Sequence, residues 1–458
     1  MSTFPLWWDE DPRPGPAEPA ASSLAALGPG RADVLVVGGG YTGLWTAYHL
    51  LRHAPDLRVV VLEARYVGFG ASGRNGGWVS ALWPVAPETI AARHGREATV
   101  RFLGTLRETV DAVGDFCARE APEVGFVRGG ALMVARGPAQ RIRAEAYAAT
   151  SAQWGTGVTW LTAGETRERI GVPDALGATF DPHCARVQPR RLVLALARAV
   201  RALGGVIVEG AEVTSIEPGR VRLASGAALS ADAVIRATEA WTARLPGARR
   251  RVAPVYSLMV ATEPLSEATW AQVGLAGREV FADHGHLVIY GQRTVDDRIA
   301  FGGRGAPYHW GSRVRPEYDR AERVFAGLRR TLTGLLPALE GVRFTHAWGG
   351  PLGIARDWHP AVVFDPATGL GAAGGYVGDG VAASALAGRT LADLVLRRSS
   401  EVTSLPWVGH RGRAWEPEPL RWLGINAGLR LAAVADAEER VTARPARTAY
   451  VLDKLTGG

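Results

Sequence analysis

Lysine is almost absent from this chain. Lys454 stands alone, against a formal net charge of +7 and an isoelectric point near 9.8. The positive charge is therefore arginine, and it is scattered; Arg249-Arg250-Arg251 is its longest block. A nucleic-acid binder would show a basic stripe on a recognisable module. Neither is present, so nucleic acid is not an expected partner. Cysteine is scarce too. Cys117 and Cys184 are too few for a disulfide framework or a structural zinc site, and no metal centre is expected. Both read as small buried residues. A secretory leader is not expected: Asp9, Glu10 and Asp11 stand near the start without early Lys or Arg. Two stretches poor in charge, Val34 to Leu51 and Gly369 to Gly388, are long enough to raise the question of a membrane span. A glycine turn interrupts the first and Asp379 the second. The expectation is a soluble, cytoplasmic protein with no membrane span.

What is present is a globular composition, 47% hydrophobic and 21% charged over 458 residues. That length can bury a large core in two closely joined domains. Glycine is abundant at 57 residues, which suits close backbone approaches to a ligand.

The most informative stretch runs from Asp33 to Glu63. An apolar strand, Asp33 to Val37, meets Gly38-Gly39-Gly40-Tyr41-Thr42-Gly43 without a gap. A helix-forming segment runs on to His53, and a second apolar strand ends at Glu63, twenty residues after Gly43. This is a strand-turn-helix-strand unit with a G-x-G-x-x-G turn and a terminal acid. Gly38 permits the tight turn, Gly40 lets a pyrophosphate approach the backbone, and Gly43 lets helix and sheet pack closely. The helix start, with Tyr41 and Thr42, offers unpaired N–H groups and partial positive charge to phosphate. Glu63 can accept hydrogen bonds from ribose hydroxyls. Agreement of spacing, strands and acid points to a dinucleotide.

After Glu63 and Ala64, the span Tyr66 to Gly77 holds five glycines and few apolar anchors, and reads as a loop. Ser72, Arg74 and Asn75 bring donors to it, between Gly73 and the pair Gly76-Gly77. Such a loop beside a phosphate turn suits wrapping of a dinucleotide. Residues 1–30 carry Phe4, Trp7 and Trp8 among Pro and Ala. They read either as an arm pinning aromatic side chains to the body or as a disordered tail. Helix is expected from Glu88 to Ala121 with a break near Gly95, and from Pro138 to Thr150. A hairpin is expected over Val124 to Ala135, and a capping box at Thr162 to Glu165.

From Gln188 the dinucleotide pattern resumes. An amphipathic helix, Pro189 to Leu203, leads to Val206–Val208, a meander through Val213 and Val221, and a return strand ending at Arg236. That strand runs into Ala237-Thr238-Glu239, small residues and a hydroxyl where a ligand would touch the carboxyl ends of a parallel sheet. Pro254 to Ala261, Leu287 to Tyr290 and Arg298 to Phe301 read as strands of a second, largely antiparallel sheet, with a helix from Glu317 to Leu332. Near the end, Leu370 to Gly374 meets a glycine turn and a helix of small residues beginning near Val381. The tail holds Trp407, Trp415 and Trp422 and a helix from about Pro419 to Ala435.

Taken in order, these motifs resemble FAD-dependent oxidoreductases of the D-amino-acid oxidase type, most of all the γ-glutamylputrescine-oxidase-like branch. The resemblance covers roughly Ala32 to Leu396 and rests on Gly38 to Gly43, Glu63, Gly70 to Gly77, Val213, Ala237-Thr238 and Gly375 to Gly380. It implies an α/β architecture. A Rossmann-like FAD-binding domain of glutathione-reductase type (31–80, 185–245, 345–400) would join a second, largely antiparallel α+β substrate domain (81–184, 246–344). Outside them lie the arm (1–30) and a helical appendage (401–458). It further implies pyrophosphate on the first turn, the adenosine ribose on Glu63, adenine beside Val213, and the isoalloxazine near Gly378, Asp379 and Gly380. The broad group has Ala-Thr-Gly where this chain has Ala237-Thr238-Glu239. Some relatives attach flavin to a cysteine near the C-terminal motif; none follows Cys184 here, so noncovalent FAD is expected.

The reaction so implied is oxidation of a C–N bond in a small amine or amino acid, with oxygen or another electron acceptor. His309 and Tyr376 are the catalytic candidates. Tyr256, Tyr290, Trp348, Arg356 and His359 are candidates for the substrate side. Three other readings stay open: a flavin dehydrogenase using a quinone or carrier protein, a flavin monooxygenase, and a module that only holds a dinucleotide.

Overall fold

The computed structural model describes residues 2–10 and 31–449. Two eight-stranded sheets form its frame. In the first, β1 (Ala32–Val37) lies between β2 (Val59–Leu62) and strand Ala228–Arg236, parallel to both. Val206–Val208 continues the parallel set beyond β2, and Leu370–Gly374 does so beyond Ala228–Arg236. Ala361–Asp365 closes that edge antiparallel. The meander Val213–Glu217 and Arg220–Leu223 hangs from Ala228–Arg236.

β1 and β2 are apolar runs because they are covered on both faces, as central parallel strands are. Helix α1 (Tyr41–His53) and helix Gly380–Val395 cover one face, with Leu44, Leu50, Leu51, Ala382, Leu386 and Leu391 in the same core. The small residues of Gly380–Val395 permit close contact. A Cβ on Gly388 would stand 2.4 Å from that of Trp45. Four of the parallel strands deliver Gly38, Glu63, Ala237 and Gly375 at their carboxyl ends. In open α/β sheets that edge is where ligands bind.

The second sheet runs Phe344–Ile354, Ala253–Thr262, Ile299–Gly303, Ile289–Arg293, Val280–Asp283, Ala131–Ala135, Gly177–Asp181, Thr159–Thr162. All its pairings are antiparallel except Val280–Asp283 with Ala131–Ala135. Helix Glu322–Leu335 packs into the core of this layer through Phe325, Leu328, Leu332 and Leu335, one stripe at helical spacing.

The capping box at Thr162 and Glu165 and the helix break at Gly95 form as the sequence suggests. Three expectations are corrected. Val124 to Ala135 is no hairpin: Val127 bridges Arg186, while Ala131–Ala135 is an interior strand of the second sheet. The expected helix Glu317 to Leu332 begins only at Glu322, because Pro316–Asp319 forms a separate turn whose Asp319 is held by Arg74. The C-terminal helix runs on from Ala435 to Thr442. There Asp436 accepts the N–H groups of His286 and Leu287, and Glu439 pairs with Arg143 and His286. These groups pin the helix to the body; with Arg143 on Glu439, they do not read as a metal centre.

Of the arm, Trp7 and Trp8 are buried and Phe4 is exposed; residues 11–30 lie outside the described residues. No described helix is long and apolar enough to cross a membrane.

Candidate active site

A cleft of about 360 Å³ opens along the carboxyl edge of the first sheet. That is within the range of small-molecule pockets. Its wall includes Gly38, Gly40, Tyr41 and Thr42 of the first turn and, beyond β2, Glu63 and Ala64. Val213, Ala237 and Thr238 also line it, as do Ser72, Arg74 and Asn75 of the glycine loop. Tyr376, Gly378 and Gly380 belong to the same wall. One continuous space thus joins motifs more than three hundred residues apart in the chain.

The first turn is built by contact. Gly38 has φ +117°, and a Cβ there would lie 2.4 Å from the carbonyl oxygen of Ala237. A Cβ on Gly43 would lie 2.0 Å from the carbonyl oxygen of Gly38, although Gly43 itself is off the wall. The Tyr41 N–H donates to Ser72 Oγ at 2.9 Å. The following N–H groups of the helix start have no intrahelical partner and suit an anion. Glu63 accepts the N–H of Gly39 and that of Arg65, each at 2.8 Å. Burial raises its carboxyl, and these two donors pull it back. Each carboxylate oxygen keeps a lone pair beyond its backbone bond.

Loop 70–77 is stiffened by its own side chains. Asn75 Nδ2 donates to the carbonyls of Ala71 and Ser72, and the Gly77 N–H donates to Asn75 Oδ1. Arg74 donates to Phe69 O at 2.8 Å, Asp319 Oδ2 at 2.6 Å and Gly349 O at 3.1 Å. It therefore ties the loop to the second sheet. Gly73, Gly76 and Gly77 do not line the cleft. Their missing side chains make room for Gly68, Tyr290 and Gln292 respectively.

At the other end, Tyr376 is buried and its hydroxyl lies 2.9 Å from Thr42 Oγ1. Burial pushes that phenol far up. Asp379 stands off the wall between Gly378 and Gly380; burial pushes it up to about 6, with the nearby Arg304 guanidinium pulling it down.

Sequence reasoning left Glu239 open. It lines the cleft in a left-handed backbone conformation (φ +42°), and Oε2 accepts the Gly353 N–H at 2.7 Å. Burial pushes its carboxyl up to about 7, against the N–H groups of Gly353, Tyr376 and Gly375. Two separate segments, at Gly353 and at Gly375-Tyr376, are thus tied to one carboxyl. The departure from Ala-Thr-Gly was the signal for it. Leu352 and the segment Val314, Arg315, Pro316 and Asp319 also line the cleft, and no motif marks them.

The remaining candidates lie off the wall. His309 is stacked on Tyr318 with ring centres 3.3 Å apart. The Tyr256 hydroxyl bonds the backbone of Arg315. Tyr290 bonds Ser257 at 2.8 Å, and Trp348 donates to Arg74 O at 2.9 Å. Arg356 pairs with Glu416 at 2.9 Å, and His359 stacks on His410.

The cleft suits FAD on its own terms. A cradle that excludes Cβ atoms, a helix start, an acid after the second strand and a second glycine-helix turn share one continuous space.

Comparison with known proteins agrees. The family model described as "FAD dependent oxidoreductase" (DAO) matches residues 33–394. The chain is 32% identical over 371 residues to the γ-glutamylputrescine oxidoreductase of Escherichia coli (strain K12), covering 79% of this chain and 83% of that one. It is 29% identical over 383 residues to the probable oxidoreductase OrdL of Rhizobium meliloti (strain 1021), covering 82% and 85%. The crystal structure of glycine oxidase from Geobacillus kaustophilus has the same fold, with TM-score 0.66 at 24% identity, over 83% of this chain and 100% of that one. The chain is an FAD-dependent oxidoreductase of the DAO family.

Proposed function

We propose that the protein oxidises the C–N bond of a small amine or amino acid, and that the imine formed is hydrolysed to a carbonyl compound and ammonia or a smaller amine. The observation that carries this reading is the flavin end of the cleft. There, Tyr376, Glu239 and the start of helix Gly380–Val395 stand beside Leu352 and the segment from Val314 to Asp319. The likeness to an enzyme named for γ-glutamylputrescine supports an amine as the substrate class.

Gly38 to Thr42 with Ser72 would hold the pyrophosphate, Glu63 the adenosine ribose and Val213 the adenine. Gly378 and Gly380 would face the isoalloxazine. When bound, FAD supplies the hydride acceptor. The chain's part is to bind, orient and bias. The partial positive charge at the start of helix Gly380–Val395 favours negative charge near it. Tyr376 and Leu352 line the same end. A substrate amine must be neutral to release hydride, and the Glu239 carboxyl, close to half-ionised near neutrality, can take up or release its proton. Tyr376 is the stronger catalytic candidate by position. His309, engaged with Tyr318, is expected to matter less: His309→Ala should leave the rate of flavin reduction within about threefold of wild type, below the range typical for loss of a general base.

Anaerobic addition of amines and amino acids to the purified protein tests the proposal. Bleaching of the flavin bands by one class of compound is expected. Bleaching by none of them, but by NADPH alone, would favour a monooxygenase. Oxygen consumption during turnover separates an oxidase from an enzyme serving a quinone or carrier protein. Cys117 and Cys184 are both buried and off the cleft wall, so the flavin should come away entirely on acid precipitation.

A further inference from the structure

The glycine loop that lines the cleft has a second partner on its outer side, the N-terminal arm. Ser2 adds to strand Phe344–Ile354: its N–H donates to Thr345 O at 2.7 Å, and the Ala347 N–H donates to Ser2 O at 2.9 Å. Asp9 lies 3.1 Å from His346 Nε2. Between these anchors, the turn Leu6–Trp8 is buried. Both of its indoles donate to carbonyls of the loop. Trp7 Nε1–H reaches Asn75 O at 2.9 Å, and Trp8 Nε1–H reaches Gly73 O at 2.9 Å. Gln188 holds the arm in turn, donating to Trp7 O at 3.2 Å.

The Trp8 ring also carries Arg74. The guanidinium of Arg74 stands 5.3 Å from the ring centre, and Tyr66 meets Trp8 edge-on at 5.3 Å. Arg74 is the residue that bonds Phe69, Asp319 and Gly349. A chain of contacts therefore leads from Trp8 through Arg74 to the segment that lines the cleft around Asp319. The bonds of Asn75 stiffen this loop from within, but five glycines in twelve residues leave its backbone many conformations to restrict. Here two hydrogen bonds from the arm, one on each side of Arg74, fix it from behind.

We propose that the buried turn Leu6–Trp8 of the arm is a working part of the cofactor site. Trp7 and Trp8 are positioning residues: they hold Ser72, Arg74 and Asn75 in the shape that receives FAD, and through Arg74 they set the position of the Asp319 segment. The arm so determines how tightly FAD is bound without touching it.

The test uses the double variant Trp7→Phe/Trp8→Phe, which keeps an aromatic ring at each position and removes both donors, and Trp8→Ala, which also removes the ring beside the Arg74 guanidinium. Phe4→Ala, on the exposed part of the arm, is the control. FAD affinity of the full-length apoprotein is measured by flavin fluorescence, with thermal melting of the apoprotein and the visible circular dichroism of the bound flavin alongside. Two uncharged hydrogen bonds together correspond to about a tenfold change in an equilibrium. The double variant is expected to bind FAD about tenfold more weakly, with an altered flavin dichroism and an apoprotein melting point close to wild type. Trp8→Ala should lose more, and Phe4→Ala nothing. Should Trp8→Ala fail to fold, the double variant decides alone. Wild-type affinity and dichroism in the double variant would overturn the proposal. So would weaker binding that merely tracks a lower melting point with unchanged dichroism, since the arm would then be ordinary packing.

Discussion

Gly43 shows how little freedom the first turn leaves. A Cβ at 2.0 Å from the Gly38 carbonyl oxygen must push α1 away from β1. Gly43→Ala is expected to cost about 1–3 kcal/mol of stability, as overpacking does, and to weaken FAD binding; a melting curve and a fluorescence titration check both. Glu239 leads to a different expectation. Its folded carboxyl titrates near 7, above the ordinary 4.5. A raised acid stabilises the fold below the unfolded value and loses that contribution as pH rises through the folded one. Stability of the apoprotein should therefore decline between about pH 4.5 and 7 by a contribution that Glu239→Gln abolishes. Chemical denaturation across that range checks it; the same slope in both proteins would contradict the assignment. The turn at Gly38 and the place of Glu63 on the cleft were legible because both follow from spacing within one unit. The surroundings of Arg356 and His309 were not. Glu416 and Tyr318 claim them through the fold, and no local pattern announces such partners.

Among the elements, strands and helices with local signals could be read directly: β1, α1, β2, the capping box at Thr162 and the break at Gly95. The failures share a cause. Glycines at 129 and 130 suggest a hairpin, yet Ala131–Ala135 finds its partners at Val280–Asp283 and Gly177–Asp181, fixed only by tertiary packing. The late start at Glu322 reflects Arg74 drawing Asp319 into another structure. The C-terminal helix is likewise held by distant groups. Although burial opposes it, Arg143 and His286 hold Glu439 down to about 2. A depressed acid stabilises above its unfolded value and loses that contribution as pH falls through its folded one. Acid should thus weaken the docking of this helix between about pH 4.5 and 2. Glu439→Gln is expected to cost about 1–3 kcal/mol at neutral pH, as loss of a charged hydrogen-bonded pair does once solvent screening is allowed for, while leaving FAD affinity unchanged. Urea denaturation and a flavin titration check the two halves of this expectation.

At the scale of the molecule, the cleft exists because the chain crosses between two sheets several times. β1 and β2 supply the first turn and Glu63, and the chain then departs into the second sheet. It returns for Val213 and Ala237, departs again, and comes back for Tyr376 to Gly380. The ends of this path carry glycine motifs and could be read in the sequence. The middle, where Val314 to Asp319 and Leu352 meet the cleft, could not, since apolar and charged residues there carry no spacing rule. The central claim is that this one continuous space holds a whole dinucleotide, from Val213 to Gly380. Titration of the apoprotein with FAD, FMN and riboflavin, followed by flavin fluorescence, tests it most directly. Saturable binding of one FAD per chain is expected, with FMN and riboflavin far weaker because they lack the half that Glu63 and Val213 would hold. Equal binding of all three, or no uptake of FAD, would contradict the account.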